Sequence, residues 1–329
     1  MPRYTRNSIV LAKIETTAGT DAAPTVGANA VLISNLTVNP LNANNLPRDL
    51  IKPFFGGSEH LVGSSFVELE FEVEYQHSGT AGTVAAWDAL LQSCGFAAGS
   101  VLATPARVEH NLISDYSTWK TLTLYYYDDG VLHKALGAKG TVSLALGIGT
   151  RPTMKFKFTA LDGGITAVTP GAPTLTGYKL PLAITDTNTG ALTLGCTYAT
   201  GALSSGTEYV SAGIELDLGN QVKFTDLLGT AALPGQSVDV TDRETVGKVM
   251  FDLTAANEVS FMTTVKAAST QSMGLVHGTT AGLKLLLFCP AVQLINPRKE
   301  DKDGRRMIGY DLRILPSASG NDEIKLVGL

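Results

Sequence analysis

The sequence predicts a mainly β chain of the α+β class in which one arrangement of strands and a helix is used twice. Three observations predict it. The stretch Phe66–Tyr75 alternates Val67, Leu69, Phe71, Val73 and Tyr75 with Glu68, Glu70, Glu72 and Glu74, and period-two alternation is the mark of a half-buried strand. Short runs of this kind recur between turn signals along most of the chain. The order of elements in the first half is repeated, at low identity, in the second.

Length and composition set the frame. The 329 residues suffice for two ordinary cores. Hydrophobic residues make up 44% and charged ones 17%, which suits a folded chain. With so little charge, much of its surface is expected to pack on other subunits. A net charge of −5 excludes electrostatic capture of nucleic acid. No apolar run reaches membrane-spanning length. The start, MPRYTRNSIVLAKIE, has too short an apolar run for a signal peptide, and Cys94, Cys196 and Cys289 have no disulfide or zinc spacing. Both features lead us to expect a chain made in the cytoplasm with reduced thiols.

In chain order, a polar N-terminal arm, Arg3 to Asn7, precedes the apolar run Ile9–Leu11. A Thr/Gly/Ala/Pro-rich loop and a strand at Val31–Val38 follow. Asn39 to His60 has no period and carries three prolines, Gly56-Gly57 and the pair Phe54–Phe55. Such a loop is either a flexible insertion or an arm that orders on a neighbour. After the acidic strand, Thr83 is placed to cap a helix containing Val84, Trp87, Leu90, Leu91 and Cys94, ended by Gly95. Lys120–Tyr127 is a strand closed by the turn Asp128-Asp129-Gly130. Strands follow at Val131–Leu136, Thr141–Leu146 and Met154–Leu161, where Lys155 and Lys157 are candidates to face the glutamates. Residues 165–208 read as a Thr/Gly/Pro-rich connector with a short strand near Ala191–Cys196. A strand at Tyr209–Leu218 opens the second unit, with a helix near Asn257–Ala268 and a hairpin tip at Arg298–Arg306.

The repeat is legible by position. Leu36 stands over Leu216 and Phe71 over Phe251, both 180 positions apart. Val142 stands over Val292, and Phe156 over Tyr310. The units are therefore 1–164 with its arm at 39–62, and 209–329 with its arm at 219–242. In the second unit Lys248, Met250 and Asp252 stand where the first has glutamates, so the acidic stripe is not repeated.

No catalytic constellation rises above background. Gly147-Ile148-Gly149 lacks the third glycine of a dinucleotide loop, and neither a P-loop nor a G-x-S-x-G elbow is present. His60, His77, His110, His133 and His277 have no metal-type spacing. Carboxylates at i and i+2 on one open strand do not face each other as glycosidase carboxylates do. We expect no enzyme, no cofactor and no metal. The stripe Glu68, Glu70, Glu72 and Glu74 has two readings: a solvated face paired with lysines on the next strand, or a surface that repels a polyanion.

The duplicated order of strand, long arm, strand, helix and strands, together with LDLGNQV (Leu216–Val222), VDVTDRETVGKVMFDL (Val238–Leu253) and the connector Thr174–Gly195, resembles the major tail (tail tube) proteins of long-tailed, non-contractile bacteriophages. The resemblance covers most of the chain, and no single motif in it is diagnostic. It implies two tandem tail-tube-like β-sandwich or split-barrel domains, each with a flanking helix and an arm that reaches the next ring. It implies a homotrimeric ring with pseudo-sixfold symmetry, stacked into a tube around the tape measure protein and bounded by tail terminator and distal tail proteins. Double-stranded DNA would pass non-specifically through the lumen of a virion tail assembled in the host cytoplasm, without a membrane. The acidic stripe would then face the lumen. Arg3, Arg6, Arg48, Phe54, Phe55 and Lys223, with the C-terminal tail from Pro316, would be inter-ring contacts. The alternative from another class is a soluble two-domain β module for binding or adhesion.

Overall fold

The alternation along the acidic stretch separates a buried row from a polar one. The computed structural model describes residues 3–230 and 235–329; residues 1–2, ahead of the N-terminal arm, and 231–234 of the second arm lie outside the described residues. The strand spans Leu61–Glu74, and Val67, Leu69, Phe71, Val73 and Tyr75 are all buried. Phe71 packs between Phe156 and Phe158, with ring centroids 6.0 and 5.7 Å away. Burying each such side chain contributes roughly 1.5–3 kcal/mol, so the strand anchors the core and its register is strongly specified.

The chain is mainly β, and eight strands form one continuous antiparallel run. Ser34–Leu46 pairs with Leu61–Glu74, which pairs with Thr153–Ala167, which pairs with Val131–Gly147. The run continues through Ser211–Asp217, Val246–Phe251, Arg305–Leu315 and Leu285–Lys302. The second four strands thus repeat the pairing order of the first four. The last strand of the first set is hydrogen-bonded to the first strand of the second. One hydrophobic core runs beneath both sets.

The repeat is displaced in register from the sequence reading. Phe71 lies opposite Phe156, so alignment of Phe71 with Phe251 and of Phe156 with Tyr310 would pair Phe251 with Tyr310. Instead Val249 lies opposite Tyr310, and Phe251 opposite Ile308. The slip is two residues. Because it is even, every side chain keeps its face, and hydrophobic patterning is blind to it.

Other expectations are met or corrected locally. Asp129 and Gly130 both have positive φ in the tight turn between Leu122–Asp128 and Val131–Gly147, as the Asp-Gly signal requires. Asp303 and Gly304 form a similar turn, and the flanking strands reach Lys302 and Arg305, so the Arg298–Arg306 stretch is mostly ladder. The first helix covers only Asp88–Ser93. Residues from Thr83 to Trp87 are used up in turns that carry the Trp87 indole to the Gln76 carbonyl at 2.8 Å. The second helix, Ala255–Lys266, is capped by Thr254 and buries Phe261. The stretch Asn39–Val62 is not irregular throughout. Asn39–Leu46 and Leu61–Val62 continue a long hairpin, whose polar composition had hidden its strand character.

Two segments that read as loose are built in. Leu192–Leu194, in the connector, pairs with Thr270–His277 and Thr207–Tyr209. The C-terminal tail is not a free arm. Lys325–Gly328 lies between Ala106–Asn111 and Leu285–Phe288, stitching the two halves together. Gly328 sits against His77 so closely that a Cβ there would collide with the imidazole.

Burial, and then the nearby His110, hold the His77 pKa down at about 4, below its ordinary 6.5. The unfolded chain therefore takes up this proton first, and the seam loses stability as pH falls from 6.5 towards 4. Thermal unfolding across that range is expected to show the decline, and His77→Gln to flatten it. Gly328→Ala is expected to destabilise the chain by about 1–3 kcal/mol or more, measured by chemical denaturation.

Candidate functional site: a charged sheet face and two hairpin arms

Residues opposite each other in an antiparallel pair share a face, so the ladder registers define the outer face of the eight-stranded run. Glu70 lies opposite Lys157, and Glu72 opposite Lys155. Beyond them stands a column of small residues, Thr141, Ser143 and Ala145. Asp217 and Glu215 follow opposite Ser143 and Ala145, then Lys248 opposite Glu215, and Asp311 opposite Lys248. The face is thus columned in alternating sign. A shallow groove runs along the small-residue column, lined by Glu72, Lys155, Glu215, Asp217 and Lys248 among others.

The lysines expected to meet the acidic stripe do so. Lys155 Nζ lies 2.6 Å from Glu70 Oε1. Arg151 lies 3.4 Å from Glu74 and 3.7 Å from Glu72. Asn35 donates to Glu72 at 2.8 Å, and Asn42 to Glu68 at 3.3 Å. These pairs are half-exposed, so each contributes little to stability; their effect is to divide the stripe's charge among neighbours. On the far side, bonds first from Arg298 and then from Asn296 pull the Asp311 pKa down to about 2.

The arms are hairpins with apolar tips. In the first, Ile51 and Phe55 are fully exposed and Phe54 largely so, while Arg48 pairs with Glu59 across the tip. The second, Asn220–Asp226 with Gln236–Arg243, exposes Leu227 and Leu228 and carries Lys223 exposed opposite Asp239. Its base lies against the first half: Phe224 stacks on Phe66 at 5.0 Å, and Lys139 lies 3.4 Å from Asp239. Arg3 pairs with Asp128, and the amide of Tyr4 donates to Asp129 at 2.7 Å, so the described N-terminal residues fold back onto a turn of the same chain. Arg6 is exposed.

The sequence reading missed the joint between the two sets of strands. Gly213 through Asp217 pairs with Gly147 through Ser143. Gly213 has φ 102°, and a Cβ on it would collide with the Leu146 carbonyl oxygen, so this close approach requires glycine. The Asn220 side chain closes the joint, donating to Cys94 O at 2.7 Å and Gly140 O at 2.9 Å. The available signal was Gly213 ahead of the alternating Ile214-Glu215-Leu216-Asp217.

Among the described residues no group of three His, Cys, Asp or Glu is placed to hold a metal ion, and no helix is long and apolar enough to cross a membrane. The residues gathered here are a charged sheet face and hairpins with exposed apolar residues, which define a β-rich structural subunit. A family model described as phage tail tube protein matches residues 5–317, and the chain belongs to that family. It is a structural component of the phage tail, from a family of structural proteins and not of enzymes. No curated protein matches it.

Two measurements bear on this face. Lys155→Met is expected to cost under about 1 kcal/mol in urea unfolding, because the pair is solvent-screened. Amide exchange is expected to be fast at residues 47–60 in the isolated chain, where no ladder protects the backbone, and slow in Val67–Val73.

Proposed function

We propose that three copies of this chain close head to tail into a ring with pseudo-sixfold symmetry, and that the rings stack into a tail tube through which double-stranded DNA passes. The observation that carries this reading is the internal joint. Unpaired sheet edges invite association, and here one chain already joins the end of one four-strand set to the start of the next. Among the described residues, Ser34–Leu46 pairs with one strand only, and so do residues 294–302 at the other end of the run. Each chain thus keeps one edge of each kind. A head-to-tail contact of that type generates a ring when its rotation closes, and closure leaves no edge. The repeat makes each copy two lobes, divided as 1–164, the connector 165–208, and 209–329.

In this reading the charged face lines the bore. Glu68, Glu70, Glu72 and Glu74, with Glu215 and Asp217, repel phosphates over roughly 10 Å at ordinary salt. Lys155, Lys157 and Lys248 divide the acidic columns, so the wall alternates in sign around the ring and offers DNA no broad basic patch. The hairpin tips, with Phe54, Phe55 and Arg48 on one and Lys223 on the other, contact the neighbouring ring. Arg3 is held by Asp128 in the chain, which leaves it a lesser part than the tips. The tape measure protein occupies the tube during assembly, and tail terminator and distal proteins cap its ends.

Negative-stain electron microscopy across a concentration series, with mass determination on the same samples, tests the proposal. Hollow rings of three subunits and six lobes, stacking into tubes, are expected. A chain that stays monomeric at high concentration and binds a glycan or small ligand would favour an adhesion module instead.

A further inference from the structure

We infer that the joint between copies repeats the joint inside the chain with a defined register, in which Thr37 of one copy faces Glu300 of the next. The inference rests on the ring reading above. The register follows from the ladders. With Phe156 matched to Tyr310, their partners match Phe71 to Val249 and Glu70 to Lys248. The next partners match Thr37 to Glu215 and Asn39 to Asp217. In the other direction, Lys155 and Gly309 match Ser143 to Arg298, and Thr153 and Met307 match Ala145 to Glu300. Since Glu215 faces Ala145 in the internal joint, Thr37 of one copy faces Glu300 of the next, and Asn39 faces Arg298.

Two departures from the internal joint fit each other. Inside the chain, the Leu218 amide donates to Val142 O at 3.0 Å. The residue matching Leu218 is Pro40, which has no amide hydrogen to donate. The position matching Val142 falls in the break of register between Ile295 and Arg298, where Asn296 has φ 49°. A proline therefore meets a bulge, and no donor is stranded. Beyond it, Asn220 is buried and its side-chain amide holds Gly140 O and Cys94 O, the latter at the end of the first helix. The ladders put Ala43 where Asn220 stands, so the joint between copies lacks this side-chain lock and is held by its backbone ladder.

The test sets the double variant Thr37→Cys/Glu300→Cys, the native cysteines being buried, beside Asn220→Ala. Asn220→Ala is expected to lower the melting temperature of the monomer itself. Oxidised rings of the double variant are expected to run on a non-reducing gel as a covalent ring of the size seen by microscopy, with neither single variant doing so. Wild-type rings that form while the double variant fails to cross-link would overturn this inference and leave the ring reading standing. Wild-type protein that never forms rings would overturn the ring reading and this inference together.

Discussion

Backbone hydrogen bonding at the edge of a sheet is the constraint on which the rest depends. A four-strand set ends in unpaired amides and carbonyls, and these must find a partner. Inside the chain they find the neighbouring set, through the short ladder between Ser143–Gly147 and Gly213–Asp217. That ladder fixes how the two halves stand and brings their apolar faces into one core. It also sets the columns of charge on the opposite face in a fixed order. The requirement for glycine at 213, where the backbone of the neighbouring strand comes closest, shows how little tolerance the joint has.

Polar satisfaction and charge follow from that geometry. Along the joint the ladder ends at a side chain, Asn220, which satisfies two carbonyls with one amide group. A charged residue there would need a partner the site does not offer. On the solvent face, charges are placed by register, so each glutamate of the acidic strand meets whatever the next strand presents. Lys155 and Lys157 are there because the neighbouring strand alternates with the same period, apolar residues inward. The ion pairs are weak individually. What register fixes is their order across the sheet.

The apolar tips of the hairpins carry the opposite message. Ile51, Phe54 and Phe55 on one, and Leu227 and Leu228 on the other, are exposed where a monomer has no reason to keep them so. Together with few charges overall, they suit a chain whose native surroundings are copies of itself. The C-terminal strand, wedged between the halves with Gly328 under His77, ties the two halves into one subunit.

The sequence by itself determined the class of fold, the faces of its strands and the existence of a repeat. Alternation such as Val67 to Tyr75 against Glu68 to Glu74 is a local property of the pleat, and the Asp129–Gly130 turn is a local property of φ. It also singled out Lys155 and Lys157 as partners for the glutamates, because both strands are read with the same period. Only the tertiary structure decided register and edges. A slip of two residues leaves every face unchanged, so patterning could not separate Phe251 from Val249 as the counterpart of Phe71. The strands at the base of the first arm were hidden because Asn39–Leu46 has little apolar surface to bury and pairs through its backbone. The joint at Gly213 and Asn220 was invisible for the same reason: it is made of backbone groups and one amide, whose partners lie some 70 to 130 positions away in the chain and are brought together only by the fold.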